Sequence, residues 1–330
     1  MKTLKLLLYS LLISSLVFTA CKKDDEDETP VNQAQVLVEY LESSSSPYGK
    51  NYSATDLPSI ISAQAVHTDI LTGADIYIID IRSDADFASG HIKDAVNVAA
   101  GSVLDHIQAQ GLAMNDKIVV VCYTGQTAGW VTSILRLSGY TNAFSMKWGM
   151  SSWNSAFAGK WQLNVSNTYA TQFENDNVAK GAAGNLPTLN TGKTTGAEIF
   201  EVRVSDVLTE GFEAAKVSNT EVYGNLNNYY VVNYWAATDY DHYGHVPGAM
   251  QYTPKQSMDY NVDLTTLPTD KTIVVYCWTG QTSAFLTAYL RILGYNAKSL
   301  LFGANGMIYD ELEANKWSDS EVMDYDYVTN

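Results

Sequence analysis

Apolar runs of four or five residues recur along the chain, and each is followed by a loop and then by a segment with helical spacing. Ile76-Tyr77-Ile78-Ile79-Asp80, Ile118-Val119-Val120-Val121, Tyr229-Tyr230-Val231-Val232-Asn233 and Ile273-Val274-Val275-Tyr276 are continuous rather than alternating. Such runs predict strands covered on both faces. Residues 95–98 and 143–146 predict two further strands. Helical spacing marks 34–41 (Val36, Leu37, Tyr40, Leu41), a short stretch after Ile60, and 103–110. A tryptophan-bearing helix (Trp153, Phe157, Trp161) closes the first half. Helices alternating with apolar strands predict an α/β fold with mostly parallel sheets flanked by helices.

The pattern occurs twice. Cys122-Tyr123-Thr124-Gly125-Gln126-Thr127 and Cys277-Trp278-Thr279-Gly280-Gln281-Thr282 each follow an apolar run and precede a helical segment ending in Arg-x-x-Gly-Tyr. Cys277 follows Cys122 by 155 positions, and the same offset relates Gly280 to Gly125, Arg291 to Arg136 and Gly294 to Gly139. A constant offset through strand, loop and helix means a duplicated domain. The expected layout is a leader over 1–20, a tether over 21–57 with one short helix, a first domain over 58–165, a linker over 166–195 and a second domain over 196–325. The linker is rich in Asn, Gly and Thr. Each domain is long enough to bury a core of its own.

The leader has Lys2 and Lys5, an apolar run from Leu6 to Phe18, then small residues and Cys21. This is the order of a secretory signal, and the run is short for a membrane span. Phe18-Thr19-Ala20-Cys21 resembles a bacterial lipobox, which implies lipidation of Cys21 and a lipid anchor in the outer membrane of the cell envelope. Lys22-Lys23-Asp24-Asp25-Glu26-Asp27-Glu28 resembles the tag that Bacteroidetes-type bacteria use to send lipoproteins to the cell surface; a plain solvated acidic tether is the alternative. The formal net charge of −16 argues against nucleic-acid partners. With Cys21 lipidated, only Cys122 and Cys277 remain. Their equivalent places in separate domains argue against a disulfide between them.

A free cysteine at a strand end is commonly a small buried hydrophobe. Two of them in the same six-residue loop point to chemistry instead. The chain resembles a tandem rhodanese over roughly 58–163 and 196–318. The first domain has Asp80-Ile81-Arg82, Asp86-Phe87 and Gly90-His91-Ile92-x-x-Ala95-x-Asn97, then the C-x-x-G-x-T loop, then Trp148-Gly149. The second repeats the loop, with Gly244-His245-Val246 and Phe302-Gly303 as counterparts.

The resemblance implies a sulfurtransferase with Cys122 and Cys277 as persulfide-forming nucleophiles. Backbone N–H groups of the loop at a helix N-terminus would favour thiolate over thiol. Tyr123, Thr124, Gly125, Gln126, Thr127 and Trp278, Thr279, Gly280, Gln281, Thr282 would form the substrate-binding loops. A small sulfur donor (thiosulfate, mercaptopyruvate or polysulfide) and a thiol or cyanide acceptor are the implied partners, with no cofactor and no metal. Asp80, Arg82, Asp86, His91 and His245 are implied scaffold residues, with Arg82 able to pair with Asp86. The second domain departs from this pattern, having Asn233 and Trp235 where the first has Asp80 and Arg82. Neither loop carries a positive side chain, which weighs against a thiosulfate specialist. A non-catalytic binding module at the envelope is the competing reading. Phosphatase or arsenate-reductase chemistry would need Arg six residues after the cysteine, where Ala128 and Ser283 stand.

Overall fold

The computed structural model describes residues 32–54 and 57–329; the leader, Cys21 and the acidic run after it lie outside the described residues. The first repeat runs α1 (Gln33–Leu41), β1 (Ile60–Ile61), α2 (Ala63–Thr72), β2 (Ile76–Asp80), α3 (Asp84–Ser89), β3 (Val96–Asn97), α4 (Val103–Ala109), β4 (Lys117–Val121), α5 (Gln126–Leu137), β5 (Ala143–Met146), α6 (Met150–Trp153) and α7 (Gly159–Gln162). The second runs α8 (Gly196–Ala214), β6 (Lys216–Val217), α9 (Asn219–Gly224), β7 (Tyr229–Asn233), α10 (Ala237–Tyr243), β8 (Met250–Gln251), β9 (Thr272–Tyr276), α11 (Gln281–Ile292) and β10 (Ala297–Leu300).

Each repeat forms a five-stranded sheet, ordered β1-β5-β4-β2-β3 in the first and β6-β10-β9-β7-β8 in the second. All the pairings are parallel. The central strands β4 and β9 are buried at every residue but their first, which is why their sequences are unbroken apolar runs. The two-residue edge strands β1 and β6 are too short to show a pattern. Helix starts follow capping chemistry: Ser62 and Ser83 accept the N–H groups of Ala65 and Asp86, and Thr195 accepts that of Glu198.

The helices that follow the cysteine loops meet each other. Every residue of α5 except Thr127 is buried, because its two sides face its own sheet and α11. Gly129 permits the close approach: a Cβ there would lie 3.1 Å from the carbonyl oxygen of Gln281. One apolar core therefore runs from Ile79 and Ile134 in the first repeat to Phe285 and Leu290 in the second. This corrects the expectation of two separate cores. Only the outer faces keep their own clusters, around Trp153 and Phe157 in one repeat and Trp235 and Met307 in the other.

The connections pack against the repeats. The predicted tether is structured from residue 32 on: Ala34, Leu37, Val38 and Leu41 of α1 enter the shared core, and Glu42 accepts the N–H of Tyr260 at 2.8 Å. Segment 166–195 is held along the second repeat rather than spanning free. The Ser166 N–H donates to the Asn305 carbonyl, Tyr169 to Met307, and Glu174 and His245 exchange backbone bonds. The chain end returns to the first repeat, where Met323, Tyr325 and Val328 donate to the carbonyls of Ser152, Trp153 and His91. The second domain's packing thus ends earlier than the expected 325. The single tryptophan-bearing helix is instead two short ones, because Asn154 adopts an extended backbone and caps the next turn through the Ala156 N–H.

Candidate active site

β4 ends at Val121, Cys122 follows, and Gly125 turns the chain into α5 with φ 82°. That angle suits glycine. The turn brings two donors to the sulfur: the Gly125 N–H at 3.1 Å and the Ala128 N–H at 3.4 Å from Sγ. Cys122 is 5% exposed. The expected lowering of its pKa is not what the site produces. Burial pushes the Cys122 thiol up, the backbone N–H groups of Ala128, Thr124 and Gly125 act against that, and the charge of Asp80 adds to it. The N–H cradle is present; desolvation outweighs it.

The scaffold pairing is corrected as well. Arg82 pairs with Asp80, donating from Nη2 at 2.6 Å and from Nε at 3.0 Å, and not with Asp86. Asp80 is buried at the strand end, where a carboxylate needs a full counter-charge, and residues two apart lie on the same side of an extended chain. Arg82 also donates to the Gly90 carbonyl at 2.6 Å, and its guanidinium lies between the rings of Tyr123 and Phe157. Asp86 instead accepts from Ser83 Oγ at 2.6 Å and from the Tyr123 hydroxyl at 2.8 Å. The Ser83 bond, then those of Tyr123 and the charges of Lys160 and Arg82, hold its carboxyl below the usual range against partial burial. His91 is a turn residue, with Nδ1 against the Phe87 carbonyl and its ring stacked on Phe87.

Cys122 opens onto a cleft of about 410 Å³ lined by both repeats. Tyr123, Thr124, Gln126 and Thr127 line it from the loop, while Phe212, Leu301 and Phe302 come from the second repeat. Charge is missing from the loops themselves, but other elements bring it to the cleft: Arg82, Lys160 and Lys216, with Asp86 and Glu213 beside them. Lys160 of α7 lies over the Tyr123 ring, 4.0 Å from its centroid. Lys216 of β6 pairs with Glu213 at 2.5 Å. No sequence spacing relates these lysines to the cysteine, since only tertiary packing brings them together.

At the second loop the Ser283 N–H donates to Cys277 Sγ at 3.3 Å, and the sulfur faces Ser283 Oγ at 3.6 Å. Gly280 makes the same turn with φ 78°. Asn233, standing where Asp80 stands, donates to the Tyr276 hydroxyl at 2.7 Å. Trp235, standing where Arg82 stands, stacks on Trp278 and meets Tyr276 edge-on. Cys277 is 1% exposed, and both cysteines are free thiols. His245 is buried against Tyr240, with its ring nitrogens against the carbonyls of Val246 and Asp176. Glu174 and Asp176 bring carboxylates within 4.8 Å of that ring, yet both of its nitrogens are already occupied by those carbonyls.

The remaining loop residues split between their own loop and the opposite repeat. Thr124 Oγ1 accepts from Gln126 Nε2 at 3.1 Å, and Thr279 Oγ1 accepts from the Gln281 N–H at 3.2 Å. Gln126 and Gln281 turn their carbonyl oxygens to backbone N–H groups of the other repeat, at Phe302 and Trp148. Thr282 is half-buried at the start of α11.

The Rhodanese-like domain family matches this chain at residues 62–156 and again at 219–307. The chain is 31% identical over 83 residues to the thiosulfate sulfurtransferase GlpE of Pseudomonas entomophila (strain L48), a match covering 25% of this chain and 74% of the relative. To the enzyme of the same name from Pseudoalteromonas translucida (strain TAC 125) it is 25% identical, over 28% of this chain and 86% of that one. Among solved structures, a rhodanese-like domain protein from Staphylococcus aureus aligns at 23% identity, with 28% of this chain and 87% of that chain covered and a TM-score of 0.26. Two matched segments, each with its own five-stranded parallel sheet and cysteine loop, make this chain a member of the rhodanese-like family that carries the domain in tandem.

Proposed function

We propose that the protein is a sulfurtransferase in which Cys122 carries the transferred sulfur as a persulfide. The observation that carries this reading is the Cys122 sulfur itself, held between two converging N–H groups at the mouth of a cleft that both repeats line. In the first half-reaction the Cys122 thiolate attacks the outer sulfur of the donor. A new S–S bond forms, the bond joining that sulfur to the rest of the donor breaks (S–S in thiosulfate or polysulfide, C–S in mercaptopyruvate), and the donor remainder leaves with the electron pair: sulfite from thiosulfate, the enolate of pyruvate, then protonated, from mercaptopyruvate. In the second, an acceptor thiolate or cyanide attacks the outer sulfur and Cys122 leaves as thiolate. The N–H groups of Gly125 and Ala128 point at Cys122 Sγ and stabilise the thiolate that attacks the donor and that leaves again in the second half-reaction. With Arg82 paired to Asp80 and Lys216 to Glu213, Lys160 is the cleft cation offered to an anionic donor such as thiosulfate, mercaptopyruvate or polysulfide.

The second repeat supports a different role. Cys277 is more deeply buried than Cys122, and an aromatic stack occupies the positions that flank the Cys122 cleft. Its loop serves packing and binding rather than turnover. The leader pattern supports lipid anchoring at Cys21 and a place at the cell envelope. No helix among the described residues is long and apolar enough to cross a membrane.

The test is intact mass after incubation with thiosulfate, mercaptopyruvate or polysulfide, with Cys122→Ala and Cys277→Ala alongside. An added sulfur that disappears in Cys122→Ala and persists in Cys277→Ala is expected. A folded protein that gains no sulfur from any donor would overturn the enzyme reading.

A further inference from the structure

Gln126 and Gln281 are buried amides in the two cysteine loops, and each makes its outward contacts with the opposite repeat. Gln281 Oε1 accepts the Trp148 N–H at 3.2 Å, and its Nε2 donates to the Met146 carbonyl at 3.4 Å. Reciprocally, Gln126 Oε1 accepts the Phe302 N–H at 2.8 Å. The fit is close enough to dictate the neighbouring residue. A Cβ on Gly125 would lie 2.1 Å from Gln281 Nε2, and one on Gly280 would lie 2.2 Å from Gln126 Oε1. The loop glycines thus make their own turns and also leave room for the opposite repeat's glutamine.

The backbone that each glutamine holds is the turn on which the other cysteine loop rests. Trp148 and Gly149 both have left-handed φ, 63° and 61°, and so do Phe302 and Gly303, at 61° and 50°. A non-glycine residue persists there only where its surroundings hold it. Past the first turn, the Met150 N–H donates to the Cys122 carbonyl at 2.8 Å and the Ser151 N–H to the Tyr123 carbonyl at 3.1 Å. Past the second, the Ala304 N–H donates to the Cys277 carbonyl at 3.0 Å. A Cβ on Gly149 would meet the Cys122 carbonyl at 2.2 Å, so no slack separates turn from loop.

We propose that Gln281 is a positioning residue for the Cys122 site, and that the second repeat keeps its Thr279-Gly280-Gln281 loop as a brace for the first. The brace fixes the Trp148-Gly149 turn, the turn fixes the Cys122-Tyr123 backbone, and that backbone aims the N–H groups at the sulfur. This accounts for an intact loop on a repeat that has Asn233 and Trp235 in place of an acid and a base. The inference rests on sulfur transfer at Cys122 only for one of its readouts.

The test uses the full chain with Gln281→Met, which keeps length and loses the amide, and Gln281→Glu, which keeps the acceptor for the Trp148 N–H. The first readout is the rate of Cys122 alkylation by iodoacetamide, followed by peptide mass, and it requires no sulfur transfer. The second is persulfide loading of Cys122 from thiosulfate. Gln281→Met should change the alkylation rate at least about threefold and cut loading about tenfold, with Gln281→Glu recovering most of both. Alkylation at the parent rate in folded Gln281→Met, or an equal change in both variants, overturns the brace. Hydrogen exchange in the parent protein gives a mutation-free reading. The Trp148 amide, whose acceptor is Gln281 Oε1, should be protected like β4, and its exchange at open-loop rates also overturns the brace. If the parent gains no sulfur, the enzyme reading fails while the alkylation and exchange results still decide this one.

Discussion

Trp235 lies flat on Trp278, with ring centroids 4.1 Å apart and planes 13° from parallel, at the positions where the first repeat sets Arg82 over Tyr123. One repeat flanks its sulfur with a cation and a phenol, the other with two indoles. Cys277 should therefore alkylate at least about tenfold more slowly than Cys122, since thiol reactivity follows access and thiolate character. Trp278→Ala should speed Cys277 and leave Cys122 unchanged. Peptide mass mapping after timed alkylation measures both, and equal parent rates would show that the stack guards nothing.

Arg82 neutralises a carboxylate that has almost no contact with solvent. Arg82→Leu should destabilise the protein by about 3–5 kcal/mol, because it strands the Asp80 charge. Adding Asp80→Asn should return a large part of that loss, imitating the neutral arrangement of the second repeat. Urea unfolding midpoints of the two variants decide the matter; additive losses would refute it.

Because burial pushes the Cys122 thiol above its ordinary value, the reactive thiolate keeps growing above neutral pH. Sulfur loading from thiosulfate should keep rising through pH 9. A thiolate stabilised below neutral would reach its plateau well before that, so stopped-time mass measurements from pH 6 to 10 separate the two cases.

Lys160 approaches the cleft over the Tyr123 ring and adds charge without touching the sulfur. Lys160→Ala should raise KM for thiosulfate about three- to tenfold with little change in kcat. Added salt should narrow the difference between variant and parent. A variant with unchanged KM at low salt would remove Lys160 from donor binding.

Burial pushes Glu42 up to about 7; the Tyr260 N–H pulls the other way, and Asp259 and Glu39 add to the rise. The folded protein then binds a proton that the unfolded chain has released, over the window from about 4.5 to about 7. Stability from this group is lost as pH rises through that window. Glu42→Gln keeps an acceptor for Tyr260, so its advantage over the parent should grow from pH 5 to pH 8. Thermal midpoints across that range check this, and a pH-independent gap contradicts it.

The parallel sheets, their central strands and both cysteine loops were legible because continuous apolar runs and a constant offset are local features. The shared core was not, since an α5 buried on all sides has the same apolar sequence whether its second neighbour is a domain or a loop. The charge of the cleft was hidden for the same reason. The loops are uncharged as written, and Lys160 and Lys216 reach the cleft only through folding. Arg82 was placed on Asp86 by spacing, whereas the desolvated Asp80 had the stronger demand for it. The helix expected over 34–41 is present as α1, but its place in the core was hidden because Ala34, Leu37, Val38 and Leu41 form a stripe whose partner, α8, lies far along the chain.

The reciprocal glutamine contacts have the form of an isologous interface, in which a patch meets its own counterpart across a two-fold axis. Between separate molecules such an association would weaken on dilution; joined in one polypeptide it has no concentration dependence. Each turn is thereby shaped in part from far along the chain: a side chain at Gly125 would meet Gln281, 156 positions on, and one at Gly280 would meet Gln126, 154 positions back.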